Sequence, residues 1–262
     1  MNTTDETSIV ITNYYRYYKT FALSGIVNFH AGPVNWILPK LGENGPSLAF
    51  DIKLDEETAE KVIQEHIKGI REKKIPELWF ITPDTKPDNI ISILEQNGFR
   101  NLSDGTDEPG MLLNKDDFQP YSNPESSSIV CRKIQSKEDF HLWIDVVNTA
   151  LHGWEMIDPE NYYIWVENGV YDFYLGEING IPVSTAATIR SGDTASLEFV
   201  STLSEYRRRK AAITISSKAI SKLLENGVKT VTLSGSVEAV SLYKKLGFHK
   251  CFTNILLQYN IS

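Results

Sequence analysis

Four consecutive cations, Arg207-Arg208-Arg209-Lys210, stand in the stretch SEYRRRKAAITIS, directly before a small-residue run that can open a helix. The first four N–H groups of a helix have no partner inside it and carry a partial positive charge. A phosphate or pyrophosphate suits that position, and flanking Arg and Lys would add charge-assisted hydrogen bonds. The same four residues also fit a solvated surface run. Taken alone, the solvated run is the simpler reading.

The elements needed to position such a site can be read around it. LEFVST (Leu197–Thr202) predicts a strand leading into the cation run, and Ala211 to Glu225 carries Ile215, Ala219, Ile220, Leu223 and Leu224 on one side of a helix closed by Asn226-Gly227. Upstream, the turn pairs Asn179-Gly180 and Gly192-Asp193 separate three β-rich runs, an antiparallel meander. IVCRKI predicts a strand and Lys137 to Ala150 a helix. Downstream, VKTVTL predicts a strand, Val237 to Leu246 a helix closed by Gly247, and CFTNILLQY a last strand.

The N-terminal half has a similar grammar. Glu56 to Ile70 is predicted helical, ELWFIT a buried strand, and Pro87 to Phe99 a helix ended by Gly98, where glycine takes a left-handed turn freely. ILEQNGF and LYKKLGF, one in each half, both close a helix with Gly-Phe after a strand. That match is short, and strand-helix-Gly-strand is common in α/β proteins. NYYRYYK (Asn13–Lys19) is rich in aromatics that either stack on bases or pack an amphipathic helix on its neighbour. The turn-rich FQPYSNPESSS (Phe118–Ser128) predicts a boundary, giving domains 1–125 and 126–262.

With 262 residues, 41% hydrophobic and 23% charged, the chain can fill a sizeable core. A net charge of -8 disfavours nucleic acid as the main partner. No apolar run reaches the ~20 residues of a spanning helix, and the N-terminus lacks a basic-then-apolar leader, so no membrane partner and a cytoplasmic location are expected. Cys131 and Cys251 lack metal-site spacing and suit a reducing compartment as inert core thiols.

The cation run gains meaning from a second motif. Arg207-Arg208-Arg209-Lys210-Ala211-Ala212 follows the strand and turn VSTLSEY, and one strand later comes Tyr243-Lys244-Lys245-Leu246-Gly247-Phe248. Together these resemble the GCN5-related N-acetyltransferase (GNAT) superfamily, whose hallmarks are Arg/Gln-x-x-Gly-x-Gly/Ala at a helix start and a later helix ending Tyr-x-x-Leu-Gly-Phe. The resemblance covers about Ile129 to Gln258. One position departs from it, because Lys210 replaces the first glycine. Lysine is expected to fit there only with helical backbone angles and a side chain that turns aside or reaches a phosphate oxygen.

The resemblance implies an α/β fold (α+β, mixed sheet) of two tandem GNAT-like domains, each a mostly antiparallel central sheet flanked by helices. TPDTKPDNIISILEQNGF with PGMLLN resembles the leading half of tandem GNAT proteins. Leu94 stands where Tyr243 does, and no cradle motif precedes Ser126, so the first half is expected to be a degenerate copy that supports the second.

The activity implied is transfer of acetyl from acetyl-CoA to a small-molecule or peptide amine, by direct attack in a ternary complex. Val200 and Thr202 would meet the pantetheine arm, Arg207, Arg208, Arg209, Lys210, Ala211 and Ala212 the pyrophosphate, and Ser236 another part of the cofactor. Ser236 equally suits a helix N-cap. Tyr243 would donate a proton towards the departing sulfur, with a half-buried helix aromatic as its plainer role. Glu198 would serve as base, directly or through water, or form a strand salt bridge instead. His152, Trp154 and Glu155 either contact acceptor or pack a loop. No metal is implied. Two alternatives stay open: a non-catalytic module that binds CoA or a metabolite, and an enzyme for a longer acyl-CoA.

Overall fold

A computed structural model of the chain describes residues 3–102, 108–122 and 129–260. Part of the expected boundary, residues 123–128, lies outside the described residues. The chain forms two compact units. The first comprises residues 1–110, 235–237 and 251–262, the second 111–234 and 238–250.

The first unit opens with α1 (Thr3–Thr20), followed by strands β1 (Val27–His30), β2 (Val34–Pro39) and β3 (Leu48–Ile52). Helix α2 (Ala59–Arg71) crosses to β4 (Leu78–Ile81), and α3 (Ile90–Gln96) leads to the short β5 (Phe99–Asn101). The chain's last strand, β12 (His249–Tyr259), pairs antiparallel with β4 through Ile255↔Ile81 to Gln258↔Leu78, and also with β5. Among the described pairings of this sheet only β3 and β4 run parallel.

Period-2 alternation covers both faces of this sheet. Ala49, Trp79 and Leu257 join Ile63, Ile67 and Ile70 of α2, which recur at helical spacing, and Leu94 of α3. On the other face Phe50 and Phe80 meet α1: Tyr14 stacks on Phe80 at 4.7 Å between centroids, and Tyr15 and Tyr18 lie 5.7 and 5.4 Å from Phe50. The tyrosine-rich segment is thus an amphipathic helix whose rings are used in packing.

The second unit contains the end of β6 (Glu108–Asn114), then β7 (Ile129–Lys133), α4 (Lys137–Val147), a π-helical turn Asn148–His152, and the short α5 (Pro159–Tyr162) and α6 (Ile164–Glu167). The expected meander follows as β8 (Asp172–Ile178), β9 (Ile181–Ser191) and β10 (Thr194–Thr202). Helix α7 (Ala211–Glu225) then crosses to β11 (Thr230–Ser234), a 3-10 turn Val237–Ala239 leads into α8 (Val240–Lys245), and β12 begins. The strand order is β6-β11-β10-β9-β8-β7, with only β10 and β11 known to run parallel among the described pairings.

Alternation again sends neighbours to opposite layers. Tyr174, Ala186 and Leu197 pack on Ile215, Ala219, Ile220 and Leu223 of α7. Phe173 and Phe199 pack instead on Trp143 of α4, at 4.7 and 5.2 Å. This is a mixed α/β fold with a mostly antiparallel sheet and helices on both faces.

Gly247 ends α8 at φ +100, and a Cβ there would come within 2.1 Å of the Asp117 carbonyl oxygen. Gly247→Ala is expected to cost at least ~2 kcal/mol, from left-handed strain and backbone overlap together. Urea unfolding measures it, and a loss below ~0.5 kcal/mol, the range of an ordinary surface change, would refute the close approach.

Candidate functional site

Strand β10 is the organising element. Its parallel ladder with β11 runs from Thr194↔Thr230 to Ser196↔Thr232, while β10 itself continues to Thr202. On its other side the antiparallel register with β9 slips between Glu198↔Ala187 and Ser201↔Thr185. Two residues, Phe199 and Val200, therefore stand opposite the single Ala186, which is a β-bulge. Phe199 adopts φ +52, a conformation costly for an aromatic residue.

Four buried hydroxyl side chains hold this bulge. Thr185 Oγ1 donates to the Phe199 carbonyl oxygen at 2.8 Å and lies 2.6 Å from Ser201 Oγ. Ser184 Oγ donates to the Ser201 carbonyl oxygen at 2.6 Å and lies 2.9 Å from Thr202 Oγ1. Thr185 and Ser184 are fully buried, so these bonds are made away from water, where an unpaired partner would be costly. The bulge turns backbone polar groups of 199–202 away from the regular ladder, next to the stretch where β10 has left β11.

Beyond Thr202 a 3-10 turn, Ser204–Tyr206, brings the chain to the cation run, and α7 starts at Ala211. The run is exposed. Arg207 Nε donates to the Thr202 carbonyl oxygen at 3.3 Å, and the Arg209 guanidinium lies over the Tyr206 ring at 5.3 Å. Arg208 has φ +61, and Lys210, the residue before the helix, has φ +67 and ψ +13. The expectation of helical angles at Lys210 is thereby corrected: lysine takes the left-handed geometry that glycine adopts freely. The turn into α7 demands that geometry, and a Cβ there costs roughly 1–2 kcal/mol. The Lys210 carbonyl oxygen accepts from Thr214 N at 3.1 Å and Thr214 Oγ1 at 2.8 Å. The Lys210 side chain makes no capping hydrogen bond at the N-terminus of α7. Ala211 is buried, and Ala212 follows at the helix mouth with a small side chain.

Tyr243 lies on α8, nearly buried, with its ring edge-on to Phe248 at 5.8 Å. Burial pushes its phenol well above the usual value, and the Glu198 carboxylate adds to the rise. The two proposed catalytic residues are therefore electrostatic neighbours, Glu198 being the last regular position before the bulge. Val200 packs against the α7 side of the core. Ser236 is exposed in the segment 235–237, which belongs to the first unit, and the residue before α8 is Ala239.

The loop after α4 is more ordered than its composition suggested. Asn148 bonds both the N–H and the carbonyl of Ile157, at 3.1 and 2.8 Å, closing the segment. His152 ends the π-helical turn, and burial pushes it down to about 4, so it is neutral at neutral pH. Trp154 is 49% exposed, so it is available for contact rather than committed to the core. Cys131 and Cys251 are free and lie in strands, with burial pushing both thiols up to about 11, which keeps them unreactive.

Residues 143–258 match the family model of the acetyltransferase (GNAT) domain. Solved structures agree at the level of fold. A GCN5-related N-acetyltransferase from Kribbella flavida superposes with a TM-score of 0.71 at 17% identity, covering 96% of each chain. One from Sphaerobacter thermophilus gives 0.63 at 17% identity, covering 80% of this chain and 70% of its own. A tandem GNAT protein of the clavulanic acid biosynthesis pathway gives 0.57 at 12% identity, covering 86% of this chain and 77% of its own. No curated protein matches the sequence.

Within the matched segment, sequence reasoning missed Ser184, Thr185 and Ser201. Each reads as an ordinary small strand residue, and the only available signal was the density of hydroxyls on two adjacent strands. Thr185→Val keeps the shape and removes both bonds, and should destabilise the protein by about 1–3 kcal/mol. A urea midpoint within error of wild type would show that the ladder does not hold the bulge. Lys210→Gly removes the left-handed strain and should raise stability by on the order of 1 kcal/mol; a lower melting temperature would count against the strained turn.

Proposed function

We propose that the second unit is an acetyl-CoA-dependent N-acetyltransferase that delivers acetyl to a primary amine, of a small molecule or a peptide, by direct attack in a ternary complex. The observation that carries this reading is the coincidence in one unit of a bulged strand, an uncapped helix start behind a left-handed turn, and a buried phenol beside a carboxylate.

The residues fit the cosubstrate. The free N–H groups at the start of α7, with Arg208, Arg209 and Lys210 around them, suit a pyrophosphate. Arg207 would exchange its bond to the Thr202 carbonyl for a phosphate oxygen. The backbone of Val200 to Thr202 would pair with an extended pantetheine arm in the manner of an added strand. The cosubstrate itself supplies a thioester-activated acetyl group. The bulge would aim a backbone N–H at the carbonyl oxygen where negative charge develops.

Tyr243 stays protonated through the physiological range, so it always has a hydrogen to offer. A phenol is a weaker acid than a free thiol, so its first contribution is a hydrogen bond to the departing sulfur. Complete proton transfer needs the sulfur's own proton affinity to be raised by the same burial. Glu198 would accept the proton of the attacking ammonium, directly or through water.

The first unit supports the tandem reading. Its β3-α2-β4 crossover is parallel like β10-α7-β11, and Asp51 on β3 has φ +52, the value found at Phe199. Gly98 and Gly247 both end a helix left-handed before a buried Phe. The buried Leu94 offers no hydroxyl where Tyr243 has one. We read this unit as a degenerate GNAT copy, and relative to the expected domains 1–125 and 126–262, residues 111–122 pack with the second unit and 251–262 with the first. No helix among the described residues is long and apolar enough to cross a membrane, and two free thiols suit the cytoplasm. Lysine at the glycine position favours the second reading, a CoA-binding regulatory module.

CoA release from acetyl-CoA across an amine panel, for wild type and Tyr243→Phe, tests the proposal. Turnover with at least one amine is expected, falling about 10²–10⁴-fold in the variant. Saturable acetyl-CoA binding without turnover on any amine would leave the binding module standing.

A further inference from the structure

The outer part of α7 bears a feature unrelated to acetyl transfer. A cleft of about 180 Å³ opens between it and strands β7 and β8, with Tyr174 and Cys131 at its floor and Lys218, Ser221, Lys222 and Glu225 along its rim. Lys133 of β7 also lines it. The whole cleft lies within the second unit.

Tyr174 is the unexpected member. It is 3% exposed, and its hydroxyl has no hydrogen-bond partner among the described residues. Buried polar groups are almost always paired, so an orphan hydroxyl lining a cleft points to a missing partner. The group stays a donor: burial, with Asp172 and Glu225, pushes its phenol up to about 12.

The surrounding charges define that partner. Lys133 pairs with Asp172 at 2.5 Å and Lys222 with Glu225 at 3.0 Å. Lys218 has no carboxylate partner among the described residues, and its charge is felt at Cys131. One positive charge therefore remains uncompensated in a protein whose net charge is -8. An ammonium, a serine hydroxyl and a phenolic O–H are all donors. Cys131 cannot supply a thiolate at neutral pH, since its thiol is pushed up to about 11.

We propose that this cleft binds a small oxyanion, a free phosphate or a compact carboxylate, with Lys218, Ser221 and Tyr174 as its donors. The volume accepts a group of a few heavy atoms and excludes a nucleotide. Charge-assisted bonds from Lys218 supply most of the attraction, and the Tyr174 hydroxyl gains the partner it lacks.

Titration of the full chain with inorganic phosphate, and separately with acetate, at constant ionic strength tests this by melting temperature and calorimetry. A saturable response to either anion is expected, and the arm that responds identifies the source. Lys218→Gln should weaken it about tenfold or more. Tyr174→Phe should weaken it while leaving the anion-free melting temperature equal or higher, because an unpaired buried hydroxyl is removed. A merely structural tyrosine would give the opposite, a lower melting temperature with anion response unchanged. In the Arg207→Ala background, which weakens phosphate binding at the start of α7, a Lys218-dependent response should persist. No response to either anion, a response in that background that survives Lys218→Gln, or one abolished by Arg207→Ala would overturn the proposal.

Discussion

Two parallel strands that stop pairing after three residues create a problem that much of the second unit is arranged to solve. The β10–β11 register ends at Ser196↔Thr232 while β10 runs on to Thr202, and buried backbone groups left without partners would be costly. The bulge redirects them, and four hydroxyls from two neighbouring strands fix its shape. The left-handed turns at Arg208 and Lys210 complete the passage from that strand into α7. Each of these choices is locally unfavourable, and each is held by the packing around it. Strain concentrated in this way is a common mark of a functional site.

The electrostatics follow from the same arrangement. Glu198 sits at the last regular register position before the bulge, half-buried and close enough to shift the phenol of Tyr243. Had β10 continued as a regular strand, the alternation of its side chains would have been unbroken through Thr202. The bulge instead changes which residues share a face, so that Phe199 joins the aromatic layer with Trp143 while Val200 packs towards α7. A single extra residue thereby assigns one side of the strand to core.

Legibility in the sequence tracked the range of the interactions involved. Helix α7 was readable from its apolar spacing to within a residue, and the meander from its turn pairs, because both depend on neighbours in the chain. The helix expected to reach Ala150 gives way after Val147 to a π-helical turn, set by the bonds of Asn148 to Ile157 nine residues on. The left-handed Lys210 could not be foreseen from lysine's preferences, since the turn and not the residue dictates the angle. Thr185 was invisible for a related reason: its partners, Phe199 and Ser201, are fourteen and sixteen residues away. Spacing in the chain suggests which residues do chemistry, but the side chains that aim them belong to another strand.

The placement of β12 has a consequence for how the chain is made. Residues 251–259 are translated after the whole of the second unit, yet they pair with β4 and β5 and bury Leu257 and Tyr259 in the core of the first unit. During synthesis that unit is therefore an incomplete sheet whose β4 edge waits, open, for nearly the whole chain to be translated. Vectorial folding from the N-terminus, the usual order for consecutive domains, is closed to it. The unit that is translated earlier is the one that must wait for residues translated after its neighbour.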